Sequence, residues 1–336
     1  MTDTTRRAML RQTSQAALAG LLATGALAPS AHADADAKAN AHVHTHADPD
    51  ADADAAHRCR PTFVLVHGSN GGSGFWGPII GELAVLGYRA LAVDLPGHGP
   101  AAWYPASYQS PQDLGTFATE RSPLADVTLQ DYVTHVTGVV RRAAAHGPVV
   151  LAGHSLGGVT ITGVGNAVPH LISRIVYISA FCCSTLGSVL ECYQSPEGRD
   201  SLVLKVPHVG DPAKTGALRT NWRTADPGFL ATVKAAFLAD GTDDMLRVVI
   251  NECQPDEPVS ISLAEARIAP ETWGRIDRTY IRLRHDRSLP LALQDRMIRD
   301  ADAQAPGRFR VETLDTSHLG ILSKAHELAG LLAGLA

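Results

Sequence analysis

Basic charge, aromatic residues and cysteine are all scarce in this chain of 336 residues. Its 29 Lys and Arg are outnumbered by 34 Asp and Glu, and no basic stripe is present, so we expect no nucleic-acid partner. Aromatic residues make up 5%, and the five cysteines lack the spacing of a zinc site, so we expect no metal. The remaining composition, 45% hydrophobic and 19% charged, is that of a globular protein with one large domain or two small ones.

Residues 1–33 have the pattern of an export signal. Arg6 and Arg7 precede an apolar stretch over residues 16–28, and residues 31–33 give the small-x-small sequence of a signal peptidase site. The paired arginines predict the twin-arginine route and a periplasmic or extracellular protein. An N-terminal membrane anchor is the alternative, but the apolar stretch is short for ~30 Å of hydrocarbon. We therefore expect no stable membrane insertion once the signal is removed.

Residues 34–59 are of low complexity, dominated by Ala, Asp and His. They contain few large apolar side chains to offset the entropy lost on ordering, so we predict a disordered linker. The alternating His42, His44 and His46 could bind a divalent ion weakly. A solvated tail is favoured over such a site because no Cys or second His pair completes it.

The five cysteines are Cys59, Cys182, Cys183, Cys192 and Cys253. Export permits a disulfide, and an odd count leaves at least one thiol unpaired within a monomer. Two alternatives stay open: a short-loop bridge from Cys192 to Cys182 or Cys183, or free buried thiols.

Short apolar runs alternate with amphipathic segments from residue 61 onward. The runs predict strands at residues 62–66, 88–93, 149–152, 174–179, 278–283 and 308–314, and helical spacing is found at 76–86 and 126–145. Strands that alternate with helices indicate an α/β fold with a mostly parallel central sheet flanked by helices. Ligands in such sheets bind beyond the carboxyl ends of the strands.

Two long segments interrupt this alternation. Residues 182–272 form an insertion of ~90 residues, too long for a plain crossover between strands, and we predict a helical cap there. Its helical stretches are residues 226–239, 242–252 and 260–269. The second segment, residues 100–124, contains Trp103, Tyr104 and Tyr108 and either lines an entrance or forms a surface loop.

Ser155 is the candidate nucleophile. It lies at the centre of Gly-His-Ser-Leu-Gly, directly after a buried strand and before a helix. A serine hydroxyl needs a base and an exposed position to attack, and a sharp strand-to-helix turn provides that exposure. Gly153 and Gly157 leave room for the strained backbone, and the helix N terminus favours negative charge above Ser155. A serine that only shapes a tight turn is the structural alternative.

His318 is the candidate base among 15 histidines because it directly follows the last predicted strand. That position opens at the carboxyl edge of the sheet, where Ser155 also lies. His154 adjoins Ser155 in sequence, but the turn points its side chain away. His67 is expected to support the loop after the first strand, and His285 is expected to be exposed.

Asp286 is the candidate acid that orients the imidazole and stabilises its charged form. It follows the strand 278–283, and the structural alternative is a helix-capping or surface carboxylate. Asp315 lies too close to His318 along the chain to reach Nδ1 easily. Glu252 or Asp256 would serve only if the cap supplied the acid. The order serine, aspartate, histidine along the chain is one of the known orders of a catalytic triad.

An oxyanion hole requires two backbone N–H donors. Leu156, directly after the nucleophile, is expected to supply one, and Ser69 in the glycine-rich loop after the first strand is expected to supply the other. That loop lacks the Lys and Ser/Thr of a phosphate-binding P-loop, and no nicotinamide or flavin fingerprint is present, so we expect no cofactor.

The chain from about Phe63 to its C terminus resembles the methylesterase and hydroxynitrile-lyase branch of the α/β-hydrolases. The matching segments are residues 63–68 with Trp76, residues 149–158, residues 178–181, Asp286 with Leu289, Pro290 and Gln294, and Ser317 and His318 with residues 322–324, Glu327 and Leu328. The resemblance implies an α/β-hydrolase domain over residues 60–336. It also implies ester hydrolysis through an acyl-enzyme, with Ser155, His318 and Asp286 in the roles given above.

The same family contains lyases that cleave cyanohydrins. Those lyases typically carry Thr where this chain has Gly68, and Lys where it has Leu319, so both positions favour an esterase. The expected substrate is a small or medium carboxylic ester, or a lactone. The alternatives are a hydroxynitrile lyase or cofactor-free oxygenase on this scaffold, and a non-catalytic ligand-binding protein.

Overall fold

A six-stranded parallel sheet forms the centre of the computed structural model, which describes residues 60–336. Its strands are β1 (Thr62–Val66), β2 (Arg89–Val93), β3 (Val149–Ser155), β4 (Arg174–Ala180), β7 (Asp277–Leu283) and β8 (Arg310–Leu314). They lie in the order β2-β1-β3-β4-β7-β8, and every adjacent pair is parallel. The predicted α/β fold with a mostly parallel sheet is confirmed. Residues 1–59 lie outside the described residues. They include the predicted signal and linker, His42, His44 and His46, and Cys59.

Helices cover both faces of this sheet and continue into the insertion between β4 and β7. They are α1 (Gly77–Val85), α2 (Leu114–Phe117), α3 (Leu129–Ala144), α4 (Gly157–Ala167), α5 (Val189–Gln194), α6 (Pro212–Thr215), α7 (Pro227–Phe237), α8 (Asp243–Glu252), α9 (Val259–Leu263), α10 (Leu291–Gln304) and α11 (Ala325–Ala333). Single 3₁₀ turns lie at Ser73–Trp76, Gly99–Ala101, Ala106–Tyr108, Pro169–Leu171, Leu202–Lys205, Trp273–Arg275 and Gly320–Leu322.

Strand β1 shows why the predicted runs are continuously apolar. All five of its residues are buried because successive side chains enter opposite cores. Phe63 and Leu65 pack with α1 and α11, whereas Val64 and Val66 pack with α3 and α4. Each side chain buried in this way stabilises the fold by roughly 1.5–3 kcal/mol before entropy is counted.

The predicted cap, residues 182–272, contains α5 to α9 and a small antiparallel sheet of β5 (Ala217–Arg219) and β6 (Asp256–Pro258). Helices α7 and α8 fall within the predicted stretches, but the two strands were not expected from the sequence. The helix expected over 260–269 was wrong beyond Leu263. Ala266 and Ile268 are buried against the main core, and their N–H groups donate to the carbonyls of Gly187 and Cys183, which holds that stretch extended.

Residues 100–124 are mostly exposed or half-buried, but they are anchored by buried side chains. Tyr108 and Phe117 are fully buried, with ring centroids 5.0 Å apart. The N–H of Ser122 donates to the carbonyl oxygen of Thr215 in the cap at 2.8 Å. This segment therefore packs against the cap.

Three cysteines, Cys182, Cys183 and Cys192, are buried free thiols, and Cys253 is a half-buried free thiol. The alternative of a bridge to Cys192 is therefore not what the structure contains. Over residues 60–336, no helix is both long and apolar enough to cross a membrane. The same part of the chain contains no group of three or more His, Cys, Asp or Glu side chains that could hold a metal ion.

Candidate active site

Ser155 ends β3 at the carboxyl edge of the sheet, and α4 begins two residues later. Its φ angle is 55°, a left-handed conformation that costs energy for a residue with a side chain. The turn is possible only because a neighbour has no side chain: a Cβ on Gly157 would lie 2.5 Å from the carbonyl oxygen of His67. The side chain of Ser155 is partly exposed, as a nucleophile requires.

The structure brings Ser155, His318 and Asp286 together from three separate loops. His318 Nε2 lies 2.9 Å from Ser155 Oγ, and His318 Nδ1 lies 2.5 Å from Asp286 Oδ2. Because the carboxylate can only accept, Nδ1 carries the proton, which leaves Nε2 free to accept from the serine hydroxyl. His318 and Asp286 are both buried, at 2% and 5% exposure, so this interaction is shielded from water.

Asp286 is held by more than the imidazole. Its Oδ1 accepts from the backbone N–H groups of Ser288 and Leu289 at 2.7 and 2.8 Å. Its Oδ2 also accepts from the hydroxyl of Ser179 at 2.6 Å. Ser179 has a φ of 37° and lies near the end of β4. No role was expected for it from the sequence, where its position at the end of a predicted strand was the only sign that it lies near the site. The helix-capping alternative for Asp286 is wrong, because α10 begins at Leu291 with Pro290 as its N-cap and no side-chain cap bond, whereas Asp286 is buried and bonded to His318.

The loop after β1, residues 67–72 (the β1 loop), lies beside Ser155. A Cβ on Gly68 would stand 2.7 Å from the Cβ of Ser155 and 3.3 Å from its Oγ. His67 supports this loop as expected: Leu95 N donates to its Nε2 at 3.2 Å, and its Nδ1–H donates to the carbonyl of Gly68 at 2.8 Å. Burial and the nearby His98 lower the pKa of His67 to about 4, so it is neutral.

The two expected oxyanion donors, Leu156 and Ser69, each follow a residue of the site: Leu156 follows Ser155, and Ser69 follows Gly68. Leu156 directly follows Ser155 and begins the turn into α4. The N–H of Ser69 has no acceptor among residues 60–336, whereas the N–H of Asn70 is bound by a carboxylate of the cap. An N–H without an acceptor, one residue after the glycine that borders Ser155, is available to donate to a substrate oxygen.

His154 lies beside His318 and not beside the serine hydroxyl. Its Nε2–H donates to the carbonyl oxygen of His318 at 3.1 Å, and the two ring centroids are 4.5 Å apart. Burial, followed by the proximity of His318, lowers the pKa of His154 well below 6.5. His154 is therefore a neutral support for the histidine loop, as its position in the turn indicated.

Of the other acids considered from the sequence, Glu252 is exposed at the end of α8, and Asp315 and Asp256 are engaged elsewhere. Asp315 lies 3.1 Å from both Arg284 and His285 at the surface, where His285 is half exposed. Asp256 pairs with the buried Arg219 at 2.7 Å. Asp286 is therefore the carboxylate that reaches His318.

The cap contacts the histidine loop through Asp240. This carboxylate accepts from Thr316 Oγ1 at 2.7 Å, from the N–H of Ser317 at 2.9 Å and from the Ser317 hydroxyl. These bonds outweigh the effect of burial and lower the pKa of Asp240, so it is ionised. No pattern in the sequence marks Asp240, which lies 77 residues from Ser317 along the chain.

The site thus contains a serine hydroxyl on a strained turn, an imidazole within hydrogen-bond distance of it and a buried carboxylate behind the imidazole. Such a series can move the serine proton to the imidazole as the serine oxygen attacks a carbonyl carbon. The fold and the site together define the class of protein as an α/β hydrolase.

The chain belongs to the alpha/beta hydrolase family, whose model matches residues 63–331. It is 25% identical over 288 residues to methylesterase 9 of Arabidopsis thaliana, an alignment that covers 82% of this chain and 97% of the relative. It is 24% identical over 279 residues to a pyrethroid hydrolase of Sphingobium wenxiniae, covering 81% and 86% of the two chains.

Two further matches concern length and fold. A longer chloroplastic relative from Arabidopsis thaliana is 24% identical over 280 residues, which make up 63% of that relative's length. The solved structure of polyneuridine aldehyde esterase superposes with a TM-score of 0.60 and 22% identity, covering 82% of this chain and 99% of that one. The structural match supports the predicted fold.

Proposed function

We propose that this α/β hydrolase is a carboxylic ester hydrolase that works through an acyl-enzyme on Ser155. The observation that carries the proposal is the continuous series of hydrogen bonds from Ser155 Oγ through His318 to Asp286, at 2.9 and 2.5 Å. The methylesterase among its relatives supports an ester as the bond that is cleaved. The substrate class is a small or medium carboxylic ester, with a lactone as the cyclic form of the same chemistry.

In the first half-reaction, Ser155 Oγ attacks the ester carbonyl while His318 Nε2 takes its proton. Asp286 stabilises the resulting imidazolium and keeps Nδ1 protonated throughout. The imidazolium then returns the proton to the alcohol oxygen as the carbon–oxygen bond breaks, which leaves an acyl group on Ser155. Water, deprotonated by the same imidazole, releases the acid and restores the serine.

The oxyanion formed in each half-reaction is assigned to the N–H groups of Leu156 and Ser69. Each donor of this kind stabilises the transition state by roughly 3 kcal/mol. Gly68 allows this arrangement because any side chain there would contact Ser155 Cβ at 2.7 Å. The absence of a side chain at this position also favours the esterase over the cyanohydrin lyase considered from the sequence.

The test is hydrolysis of p-nitrophenyl acetate by the wild type and by Ser155→Ala, together with labelling by a fluorophosphonate. We expect the variant to lose labelling completely and to retain only a residual rate. A Ser155→Ala variant with the wild-type rate would refute the proposal. Mandelonitrile cleavage that exceeds ester hydrolysis would replace it with the lyase, and an unlabelled wild type without either activity would indicate a ligand-binding protein.

We also propose that the protein is exported by the twin-arginine route to the periplasm or the medium. The proposal is supported by Arg6, Arg7 and the apolar stretch that follows them. Cell fractionation with N-terminal sequencing of the mature chain tests it, with a start near residue 34 expected. Replacing both arginines by lysine should hold the protein in the cytoplasm, and continued export of that variant would contradict the route.

A further inference from the structure

Glu257 is a cap carboxylate that is almost completely buried, at 2% exposure, and that contacts the β1 loop. Its Oε2 accepts from the backbone N–H of Asn70 at 2.8 Å and lies 3.2 Å from His98 Nε2. Its Oε1 accepts from the hydroxyl of Tyr132 at 3.3 Å. A carboxylate buried so deeply is retained only where its partners satisfy it, and one of these partners is the backbone of the β1 loop.

Asn70 is the point at which the cap fixes that loop. Its φ angle is 55°, a conformation that persists only when its surroundings determine it fully. Gln254 supplies two of the bonds: its N–H donates to the carbonyl of Asn70 at 2.8 Å, and its carbonyl accepts from Asn70 Nδ2 at 2.9 Å. Glu257 supplies the third by binding the N–H of Asn70. All three bonds come from one short cap segment, residues 254–257.

The bond between Glu257 and Asn70 leaves fewer N–H groups of the β1 loop available to a substrate. The N–H of Asn70 is occupied by Glu257, and that of Gly71 donates to the carbonyl of Gly68 at 3.4 Å. Among residues 60–336 the N–H of Ser69 has no acceptor, and Ser69 directly follows Gly68, which borders Ser155. The Asn70 N–H and the Ser69 carbonyl share one planar peptide, which joins the peptide of the Ser69 N–H at the Ser69 Cα, so a shift of the first peptide would displace that Cα and with it the Ser69 donor.

We propose that Glu257 is a positioning residue that sets the orientation of the oxyanion donor at Ser69 by holding the N–H of Asn70. The inference rests on the proposed function, because it concerns the transition state of that reaction. Glu257 acts on the reaction through the β1 loop and does not contact the ester itself. The cap thereby contributes to the chemistry as well as to the shape of the site.

The adjacent residue provides a matched control. Asp256 is equally buried, at 3% exposure, but side chains alternate along a strand, so it faces away from the β1 loop. It accepts from Arg219 at 2.7 and 2.8 Å, and Arg219 also donates to the carbonyls of Phe117 and Glu120. Asp256 therefore ties the cap to residues 100–124 and has no bond to the β1 loop.

Two substitutions at position 257 distinguish the effect of side-chain length from the effect of side-chain charge. Glu257→Gln keeps the length of the side chain and one acceptor oxygen for Asn70, but it removes the charge. Glu257→Asp keeps the charge but withdraws the carboxylate by about 1.5 Å, the length of one carbon–carbon bond. Each variant, and Asp256→Asn, is assayed with p-nitrophenyl acetate at saturating and limiting concentrations. Active sites are counted by prolonged titration with a fluorophosphonate, so kcat refers to folded, competent enzyme.

Positioning predicts that Glu257→Asp lowers kcat about 10- to 100-fold, part of the effect of losing one oxyanion donor, with KM within about threefold. It predicts that Glu257→Gln stays within about threefold of the wild type. Asp256→Asn should lower the thermal unfolding midpoint while its kcat per site stays near the wild-type value. The reverse order, with Asp normal and Gln impaired, would overturn the inference in favour of a charge effect.

Two further outcomes would also overturn it. A wild-type kcat per site in all three variants would show that the β1 loop keeps its conformation without the bond to Glu257. An equal loss in Asp256→Asn would show a general effect of cap stability. These results are distinct from failure of the proposed function, in which Ser155→Ala would retain the wild-type rate whatever the residue at 257.

Discussion

The substitution Asp286→Asn tests the proposed mechanism most directly, because the structure dictates how the new amide must lie. The backbone N–H groups of Ser288 and Leu289 point at Oδ1 from 2.7 and 2.8 Å, so the amide oxygen has to occupy that position. The amide nitrogen is then forced into the place of Oδ2, 2.5 Å from His318 Nδ1. There it donates a proton where the carboxylate accepted one.

The consequence is a change of tautomer at His318. Nδ1 must become the acceptor, so the proton moves to Nε2, which faces Ser155 Oγ at 2.9 Å and can no longer take its proton. Replacing the orienting aspartate by asparagine in this way costs about 10⁴-fold in kcat in a serine protease, equivalent to about 5.4 kcal/mol of transition-state stabilisation. We expect a loss of the same order here, with KM little changed, in hydrolysis of p-nitrophenyl acetate.

Asp315→Asn is the matched control, because it removes the same charge three residues from His318. Asp315 is exposed and contacts only Arg284 and His285 among the described residues, so its variant should retain the wild-type kcat. The reasoning is refuted if Asp286→Asn keeps more than about a tenth of the wild-type kcat. It is equally refuted if Asp315→Asn loses as much activity.

Three further substitutions test the supports of the site. Gly68→Ala places a Cβ 2.7 Å from the Cβ of the proposed nucleophile, so we expect kcat and the rate of fluorophosphonate labelling to fall more than about 100-fold in a folded protein. Asp240→Ala removes the bonds that hold the loop of His318, and kcat should fall about 10- to 100-fold with normal labelling stoichiometry. Burial alone lowers the pKa of His98, but the carboxylate of Glu257 at 3.2 Å outweighs it and raises that pKa above 6.5. The stability contributed by protonated His98 is therefore complete below pH 6.5 and is lost as the pH rises through the raised pKa, so calorimetry should show the wild-type advantage over His98→Gln shrinking as the pH rises above 6.5.

The parallel sheet could be predicted because each of its strands has a local signal. Strands buried on both faces read as continuous apolar runs, and every predicted strand agrees with an observed one to within a few residues. The cap was harder to predict because its elements are short and its core is shared. β5 and β6 have three residues each, and Ala217 pairs with Pro258, far away along the chain. No periodicity can develop over three residues.

The stretch after α9 shows a related limit. Residues 260–269 combine apolar and polar residues at helical spacing, yet Ala266 and Ile268 extend along the main core. Tertiary burial overrides weak local propensity in such cases, because a buried apolar side chain outweighs the preference of a single turn.

The sequence by itself determined the candidate residues Ser155, Asp286 and His318, because each directly follows a recognisable strand and their order suits the fold. Only the tertiary structure decided what supports them. Ser179 reaches Asp286 across 107 residues, Asp240 reaches Ser317 across 77, and Glu257 reaches Asn70 across 187. A carboxylate has no local pattern that reveals its partner, because its hydrogen bonds depend on which distant backbone the fold brings within about 3 Å.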